Sequence, residues 1–247
     1  MTMPTDLPVL TPQMIHSARD VEAWLAAAAD TGAVALIDKE EDWTSFDVVA
    51  KLRSATRIRR IGHAGTLDPL ATGLLIVCVG RATKRVEEFQ DEEKTYQVTI
   101  RLGATTETDD RGSSERIVEG AQPVAEDRVI EALQRFVGTI EQVPPTYAAI
   151  KHQGRPQYDL ARKGASFTPR PRIVTIHAID HIQYAWPDIH CTVHCSKGTY
   201  IRSLARDVGE ILGVGGYVHQ LRRTLSGSFR VEEAVPVQMA AEALCRS

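Results

Sequence analysis

The chain has 247 residues, a formal net charge of −3, 43% hydrophobic residues and 25% charged residues, which is ordinary for a globular protein. No apolar stretch approaches the ~18 residues that a membrane-spanning helix needs, and the N-terminus lacks the basic and apolar regions of a signal peptide. Four cysteines in a chain of this length do not indicate a disulfide framework. We therefore expect a soluble cytoplasmic protein that does not associate with membranes.

The first predicted elements are a helix, a strand and a second helix. Ser17 to Ala29 places its apolar residues on one face, with a serine in the capping position, and Gly32 is expected to end this helix. Val34–Ile37 has the composition of a buried strand, and Phe46–Leu52 indicates the opening of another helix.

The segment Gly62–Gly73 (GHAGTLDPLATG) is the most informative part of the chain. It places one carboxylate, Asp68, in a glycine-bracketed loop before the apolar run Leu74–Val79, which we predict to be a buried strand. Pro69 disfavours helical backbone at Asp68. Local chemistry leaves two interpretations open: a rigidly held reactive carboxylate, or an ordinary Asp-Pro turn.

Basic residues concentrate just before this loop, and no acidic residue occurs from Lys51 through Leu67. The members of this basic cluster are Lys51, Arg53, Arg57, Arg59 and Arg60. A basic face beside the Asp68 loop is what contacts with phosphates require, despite the acidic total. A solvated helix face is the alternative.

Further along the chain, strands dominate and helices intervene irregularly, which favours an α+β fold with a mixed sheet. We predict strands at Tyr96–Leu102, Val174–Ile182 and Ile189–Cys195, and a helical stripe from Val129 to Val137 that ends at Gly138. Cys191 and Cys195 face the same way in their strand but lie ~13 Å apart, so the two thiols cannot share a zinc ion. The same geometry excludes the neighbouring histidines, and we expect no metal site.

A second chemical cluster lies in Cys195–Leu204 (CSKGTYIRSL). Thr199 is a plausible N-cap for a helix that buries one apolar face and stops at Gly213. Arg202 falls in the first turn of this helix, where the helix dipole disfavours a cation. The arginine therefore has either a specific partner, for which Asp68 is the attractive candidate, or an unremarkable surface position.

Both strings resemble motifs of the tRNA pseudouridine-55 synthase family. Gly62–Gly73 contains every fixed position of the family pattern Gly-His-x-Gly-x-Leu-Asp-Pro-x-Ala-x-Gly, and Ser196–Arg202 matches Ser-Lys-Gly-x-Tyr-x-Arg. Further matches occur in order at Lys94–Tyr96 and Leu221–Arg223. The resemblance covers roughly residues 34–234. It implies an α+β pseudouridine synthase fold, with a mixed, largely antiparallel central sheet flanked by helices.

The resemblance also implies roles for individual residues. Asp68 is then the catalytic carboxylate and pairs with Arg202, while Tyr96 stacks on the target uracil. His63 lies at the cleft for the flipped nucleotide, and Tyr200 and Leu221 line the base pocket. We add Lys39, Arg57 and Arg59 as substrate-binding residues. The partner is the T-stem-loop of tRNA, and the isomerisation requires neither a metal nor a cofactor. We expect a monomer, with residues 1–33 as an N-terminal extension and residues 34–247 as the catalytic domain.

The chain departs from the family pattern in the Asp38–Ser45 loop. The family usually has Asp-Lys-Pro-x-Gly-x-Thr-Ser there, whereas this chain has DKEEDWTS. We expect the change to alter the shape of the loop and to weaken its attraction for phosphate. The chain also resembles a short form without a C-terminal RNA-binding domain. Two rival functions stay open: a non-catalytic tRNA-binding or tRNA-folding module, and a glycoside hydrolase, for which Asp68 lacks an obvious acid partner.

Overall fold

The computed structural model describes residues 6–147, 151–152, 155–156 and 170–245. The chain divides into two compact units. Unit 1 is built from residues up to Thr95 together with those from Arg222 onward, and unit 2 comprises Tyr96–Leu221. Each unit has its own buried apolar core.

The described residues form six α-helices: α1 (Ala18–Asp30), α2 (Ser45–Thr56), α3 (Val86–Gln90), α4 (Glu126–Gln134), α5 (Ile201–Leu212) and α6 (Val237–Cys245). Their strands are β1 (Val9–Leu10), β2 (Ala33–Lys39), β3 (Ile61–Ala64), β4 (Thr72–Val79), β5 (Lys94–Leu102), β6 (Ala104–Thr105), β7 (Arg116–Ile117), β8 (Gly138–Gln142), β9 (Lys151–His152), β10 (Arg155–Pro156), β11 (Arg172–Ala185), β12 (Asp188–Cys195), β13 (Gly216–Ser226), β14 (Phe229–Arg230) and β15 (Val235–Pro236).

Unit 1 is organised around β4, whose apolar run TGLLIVCV is buried almost throughout. Strands β2 and β3 pair antiparallel with it, and the first residues of β4 pair in parallel with β13 at Arg222 and Arg223. Opposite Gly73, the end of β2 places Lys39 beside the start of β4. This register brings the end of β2 to the loop that contains Asp68.

The N-terminal segment packs onto unit 1. Ser17 caps α1 by accepting a hydrogen bond from the Asp20 backbone N–H at 3.3 Å, as predicted. The buried Trp24 indole donates to the Val34 carbonyl at 3.2 Å, and Val9 pairs with Val34 in the sheet. Residues 6–30 thus contribute to the packing of β2. The proposed boundary at residue 33 stays a prediction.

Unit 2 packs α4 and α5 against its own strands. Strand β11 pairs antiparallel with both β12 and β8, and β5 lies on the other side of β12. Cys191 and Cys195 are buried in the apolar core of this unit. Helix α5 ends at Gly213, which adopts φ +74 as its C-cap, so the predicted stop is confirmed.

The predicted fold class is confirmed, because helices accompany a mixed sheet in which antiparallel pairs predominate. Two local predictions are wrong. Helix α4 ends at Gln134, and Gly138 begins strand β8. Tyr200, not Thr199, is the N-cap of α5, because the Thr199 hydroxyl donates instead to the Ser196 carbonyl at 2.9 Å. Among the described residues, no helix is long and apolar enough to cross a membrane.

Candidate active site

The Asp68 loop, residues 65–71, connects β3 to β4 in unit 1. Within it, the Ala71 N–H donates to the Asp68 carbonyl at 3.1 Å. The carbonyl of Pro69 accepts two hydrogen bonds, from the Asp42 N–H at 3.0 Å and from Lys39 Nζ at 3.1 Å. At the end of the loop, Gly73 has φ +97, and a Cβ there would lie 2.3 Å from the Arg223 carbonyl oxygen. The backbone beside Asp68 is therefore held tightly.

Lys39 lies under this loop and is fully buried. Its ammonium donates to the carbonyls of Glu40 at 2.9 Å, Trp43 at 2.6 Å and Pro69 at 3.1 Å. Burial lowers the pKa of Lys39 to about 8, although the nearby Asp68 carboxylate acts to raise it. An ammonium has three N–H donors, and all three are directed at backbone carbonyls. This geometry supports a positioning role for Lys39 in place of the substrate contact predicted from the sequence.

Two more residues, which the sequence analysis missed, hold the other side of the loop. Arg223 is 1% exposed and donates to the carbonyls of Leu74 at 2.7 Å and Gly65 at 3.1 Å. The Ser45 hydroxyl donates to the Leu67 carbonyl at 3.0 Å and accepts from the Leu67 N–H at 2.9 Å. The available signal was the matched string Leu221–Arg223, to which we assigned no role at Arg223.

The altered loop before α2 keeps the contacts that bind it to the Asp68 loop. Asp42 occupies the glycine position of the family pattern and adopts φ +65, a left-handed conformation that aspartate tolerates better than most residues. Thr44 and Asp47 form a capping box that starts α2. Asp42 thus takes a backbone conformation that glycine also adopts readily, and the expected change in the shape of the loop stays a prediction.

His63 lies in β3 opposite Val77, two residues before the Asp68 loop begins. Burial lowers the pKa of His63, and the cation of Arg223 lowers it further. The ring is therefore neutral near pH 7. Its Nδ1 atom is buried and has no hydrogen-bond partner within the described part of the chain. The predicted contact between His63 and the flipped nucleotide stays a prediction.

The basic cluster extends from Lys51 in the middle of α2 to Arg60, after the helix ends, and its predicted position beside the Asp68 loop stays a prediction. Ser45, at the start of α2, contacts Leu67, whereas Arg57 is the C-cap. A helix of this length spans about 18 Å. The Gly80 N–H donates to the Arg60 carbonyl at 2.8 Å, which adds the exposed Arg81 to this end of unit 1. Arg57 therefore lies about 18 Å along α2 from the contact between Ser45 and Leu67.

Arg202 in unit 2 is 5% exposed, so the interpretation as an unremarkable surface arginine is wrong. Its guanidinium donates to the carbonyls of Thr108 at 2.9 Å and Tyr147 at 3.0 Å, and its Nε lies 3.8 Å from Asp110 Oδ2. The prediction that Arg202 has specific partners is confirmed. Asp68 belongs to unit 1, and its predicted pairing with Arg202 stays a prediction.

One turn along α5, Arg206 repeats this arrangement and was missed by the sequence analysis. It forms an ion pair with Asp109 at 3.1 Å and donates to the Val143 carbonyl at 3.0 Å. Burial raises the pKa of Asp109, which the cation of Arg206 counteracts. The acidic pair Asp109–Asp110 was the available signal. Together, the hydrogen bonds and ion pairs of Arg202 and Arg206 connect the loop that contains Asp109 to the first turns of α5.

The other predicted base-pocket residues also lie in unit 2. Tyr96 and Leu221 are partly buried and pack against the core of this unit. The N–H of Tyr200 donates to the buried Gln142 side chain at 2.8 Å, and its carbonyl accepts from the same amide at 3.1 Å. Each unit therefore positions part of the predicted site: Lys39, Arg57, Arg59, His63 and Asp68 belong to unit 1, and Tyr96, Tyr200, Arg202 and Leu221 to unit 2.

The described residues contain no group of three or more His, Cys, Asp or Glu side chains arranged to hold a metal ion. Cys191 and Cys195 are free thiols in the core of unit 2. Burial raises the pKa of Cys191 to about 12, so this thiol stays protonated at neutral pH.

Comparison with known proteins now identifies the family. Residues 53–201 match the model of the TruB family pseudouridylate synthase N-terminal domain, and residues 202–246 match that of the tRNA pseudouridylate synthase B C-terminal domain. The chain belongs to the TruB family. A tRNA pseudouridine synthase B of Phocaeicola vulgatus is 45% identical over 213 residues, covering 84% of this chain and 91% of that protein. One of Desulfotalea psychrophila is 44% identical over 219 residues, covering 86% and 89%.

Solved structures agree with this assignment. One chain of a Cbf5–Nop10–Gar1 complex aligns with a TM-score of 0.67 and 29% identity, covering 88% of this chain and 54% of that one. An H/ACA ribonucleoprotein bound to a substrate RNA that contains 2′-deoxyuridine aligns with a TM-score of 0.65 and 27% identity, covering 87% and 53%. The predicted family is confirmed, and with it the predicted enzyme class, the pseudouridine synthases.

The contacts of Lys39 predict a specific effect on stability. Lys39→Met should lower the free energy of unfolding by about 2–4 kcal/mol, because three buried carbonyls lose a charged donor. Urea denaturation measures this change. Lys84→Met, which alters an exposed lysine of the same unit, is the control and should change stability little.

The pH dependence of that difference provides a second readout of the same substitution. The pKa of Lys39 is about 8 in the folded protein, below the ordinary value of 10.5. Between these two pH values the unfolded chain binds more protons than the folded chain at this site, so the contribution of Lys39 to stability rises with pH. The stability gap between wild type and Lys39→Met should therefore widen from pH 7 to pH 10. A constant gap would contradict the depressed pKa.

Proposed function

We propose that this protein converts uridine to pseudouridine at position 55 in the T-loop of tRNA, with Asp68 as the catalytic carboxylate. The observation that carries the proposal is the Asp68 loop itself. In a TruB-family chain, Lys39, Ser45 and Arg223 fix the backbone on both sides of this one carboxylate. The related proteins named tRNA pseudouridine synthase B support tRNA as the substrate.

The chemistry suits the residues that surround Asp68. Pseudouridine formation breaks the N1–C1′ bond and forms a C5–C1′ bond, while C5 loses a proton and N1 gains one, with no net oxidation and no net hydrolysis. It requires an ionised carboxylate that acts on the sugar or base electrophile and a group that accepts the C5 proton. The Lys39 cation lies close enough to Asp68 to interact with it electrostatically, and this attraction raises the pKa of Lys39 against the larger effect of burial.

The target base must leave its stack to reach Asp68, at a cost of a few kcal/mol. We propose that Tyr96 stacks on the extruded uracil, which returns ~1–3 kcal/mol, and that Tyr200 and Leu221 enclose it. His63, neutral and with an unused Nδ1, contacts the nucleotide at the mouth of the Asp68 loop. Arg202 orients Asp68 by charge pairing. We also propose that the enzyme acts as a cytoplasmic monomer without a cofactor.

The altered Asp38–Ser45 loop was the reason to consider a non-catalytic tRNA-binding module. This loop retains its hydrogen bonds to the Asp68 loop through Asp42 and Lys39. Its three acidic residues therefore leave the support of Asp68 in place. The glycoside hydrolase alternative lacks support from the family to which the chain belongs. The enzyme is the interpretation that these contacts favour.

Replacement of Asp68 tests the proposed chemistry directly. Asp68→Asn is nearly isosteric and should bind tRNA while abolishing tritium release from tRNA labelled at uridine C5. Single-turnover measurements with excess enzyme separate chemistry from product release. Glu22→Gln, which alters an exposed carboxylate of α1 in the same unit, is the control. Substantial turnover by Asp68→Asn would refute the assignment.

Arg202 is expected to affect catalysis far more than binding. Arg202→Met removes the cation that we propose to hold Asp68 ionised, so the single-turnover rate should fall by at least tenfold while tRNA affinity changes little. Arg202→Met also removes hydrogen bonds to two backbone carbonyls, so it can lower stability as well as the rate. Arg202→Lys keeps the positive charge, and comparison of the two variants shows whether the rate falls with loss of the charge or only with loss of stability. A rate unchanged in a folded Arg202→Met variant would exclude the pairing.

The basic cluster at the end of α2 is expected to contact phosphates away from the target uridine. Arg57→Gln combined with Arg59→Gln should weaken binding of different tRNAs similarly, because phosphate contacts carry no sequence information. The slope of log affinity against log salt concentration should flatten by roughly 0.7–0.9 for each phosphate that the variant no longer neutralises. An unchanged slope would mean that both arginines are only solvated.

A further inference from the structure

Unit 1 exposes two large apolar side chains within its described residues, Phe46 and Met239. Phe46 is 64% exposed and lies in the first turn of α2, whereas Met239 is 45% exposed and lies in the first turn of α6. The two helices pack against each other. Single exposed apolar residues are common on protein surfaces, so exposure alone does not indicate a binding site. The positions of Phe46 and Met239 in unit 1 are therefore the relevant observation.

Both helices begin at the end of unit 1 that carries the Asp68 loop. Ser45, next to Phe46, exchanges two hydrogen bonds with Leu67, which precedes Asp68. Strand β15, which leads into α6, pairs with Ile37 and Asp38 just before the buried Lys39. Phe46 is thus one residue from a side chain that contacts the Asp68 loop, and no described residue covers most of its ring.

The charged residues around Phe46 disfavour contact with an RNA phosphate but allow contact with an uncharged RNA base. Glu40, Glu41, Asp42 and Asp47 are exposed at this end of unit 1, so a phosphate there is repelled. Along α2, the nearest member of the basic cluster, Lys51, is about 8 Å from Phe46, and Arg57 at the end of the helix is about 16 Å from it. An RNA base carries no charge and presents a flat π-face, which stacks on aromatic side chains regardless of sequence.

We propose that Phe46 is a stacking platform for an unpaired RNA base next to the nucleotide on which Asp68 acts. This proposal rests on the proposed function and adds a substrate contact to it. Acidic residues keep the backbone away from Phe46, the aromatic ring receives the base, and the phosphates of the adjoining stem reach the basic cluster.

The test uses a T-arm stem-loop RNA and the full chain. Phe46→Ala should raise the Kd by about 5- to 150-fold, the range expected for loss of one stacked base. Phe46→Tyr should bind like wild type, and Phe46→Leu should bind like Phe46→Ala, because leucine keeps apolar area without a π-face. A blunt RNA duplex, which offers no unpaired base, should bind all four proteins equally.

Ile173→Ala, which truncates a 69% exposed apolar side chain of unit 2, is the matched control and should leave the Kd unchanged. Equal binding by Phe46→Leu and wild type, or by Phe46→Ala and wild type, would overturn the proposal. Self-association of wild type that Phe46→Ala abolishes without a change in Kd for the RNA would assign the surface to a second copy of this chain and overturn it too. A wild-type protein that binds the stem-loop but releases no tritium would contradict the proposed function instead.

Discussion

The buried ammonium of Lys39 is the interaction on which the candidate site depends. Transfer of an ammonium from water into a protein interior costs several kcal/mol, and its hydrogen bonds must offset this cost. Here the three donors reach the carbonyls of Glu40, Trp43 and Pro69, so one side chain joins two loops that are remote in sequence. Because Pro69 follows Asp68 directly, the position of the carboxylate is fixed by the chain segment that ends β2.

In the Asp38–Ser45 loop, an aspartate takes a left-handed backbone conformation at a position where the family pattern has glycine. At the glycine position of the family pattern, Asp42 adopts φ +65, which is unfavourable for most side chains. Its N–H donates to the Pro69 carbonyl at 3.0 Å, the same oxygen that Lys39 binds. The strain is of order 1–2 kcal/mol and is offset by contacts that hold both loops. The acidic residues change the electrostatics of this surface more than its geometry.

In unit 2, arginine side chains join separate chain segments in the way that Lys39 does in unit 1, by donating hydrogen bonds to backbone carbonyls. Arg202 and Arg206 lie on successive turns of α5, and both donate to backbone carbonyls while a carboxylate lies nearby. Guanidinium groups have donors in a fixed planar arrangement and no acceptors, so they are suited to several carbonyls from separate segments. This explains why a cation is tolerated in the first turn of α5 against the helix dipole: its hydrogen bonds outweigh the smaller dipole effect.

The sequence predicted those parts of the structure that have a regular apolar pattern. The run Leu74–Val79 and the helix that stops at Gly213 were recovered because burial and capping leave local signals. Strand β13 was missed because its polar and charged residues, the buried Arg223 among them, interrupt the apolar pattern. Lys39, Ser45 and Arg223 act through contacts with chain segments 20 or more residues away, which no local pattern encodes.

The basic cluster is a second case in which the order of residues in the sequence does not give their arrangement in the structure. In the sequence these cations immediately precede the Asp68 motif, and this proximity suggested a shared surface. The short strand β3 separates Arg57 from the Asp68 loop along the chain, and α2, which contacts that loop through Ser45 at its start, is about 18 Å long. Arg57 and Asp68 are therefore close in sequence but lie at opposite ends of α2. Acidic side chains are exposed beside the Asp68 loop and basic ones toward the other end of α2, and a net charge of −3 conceals this separation.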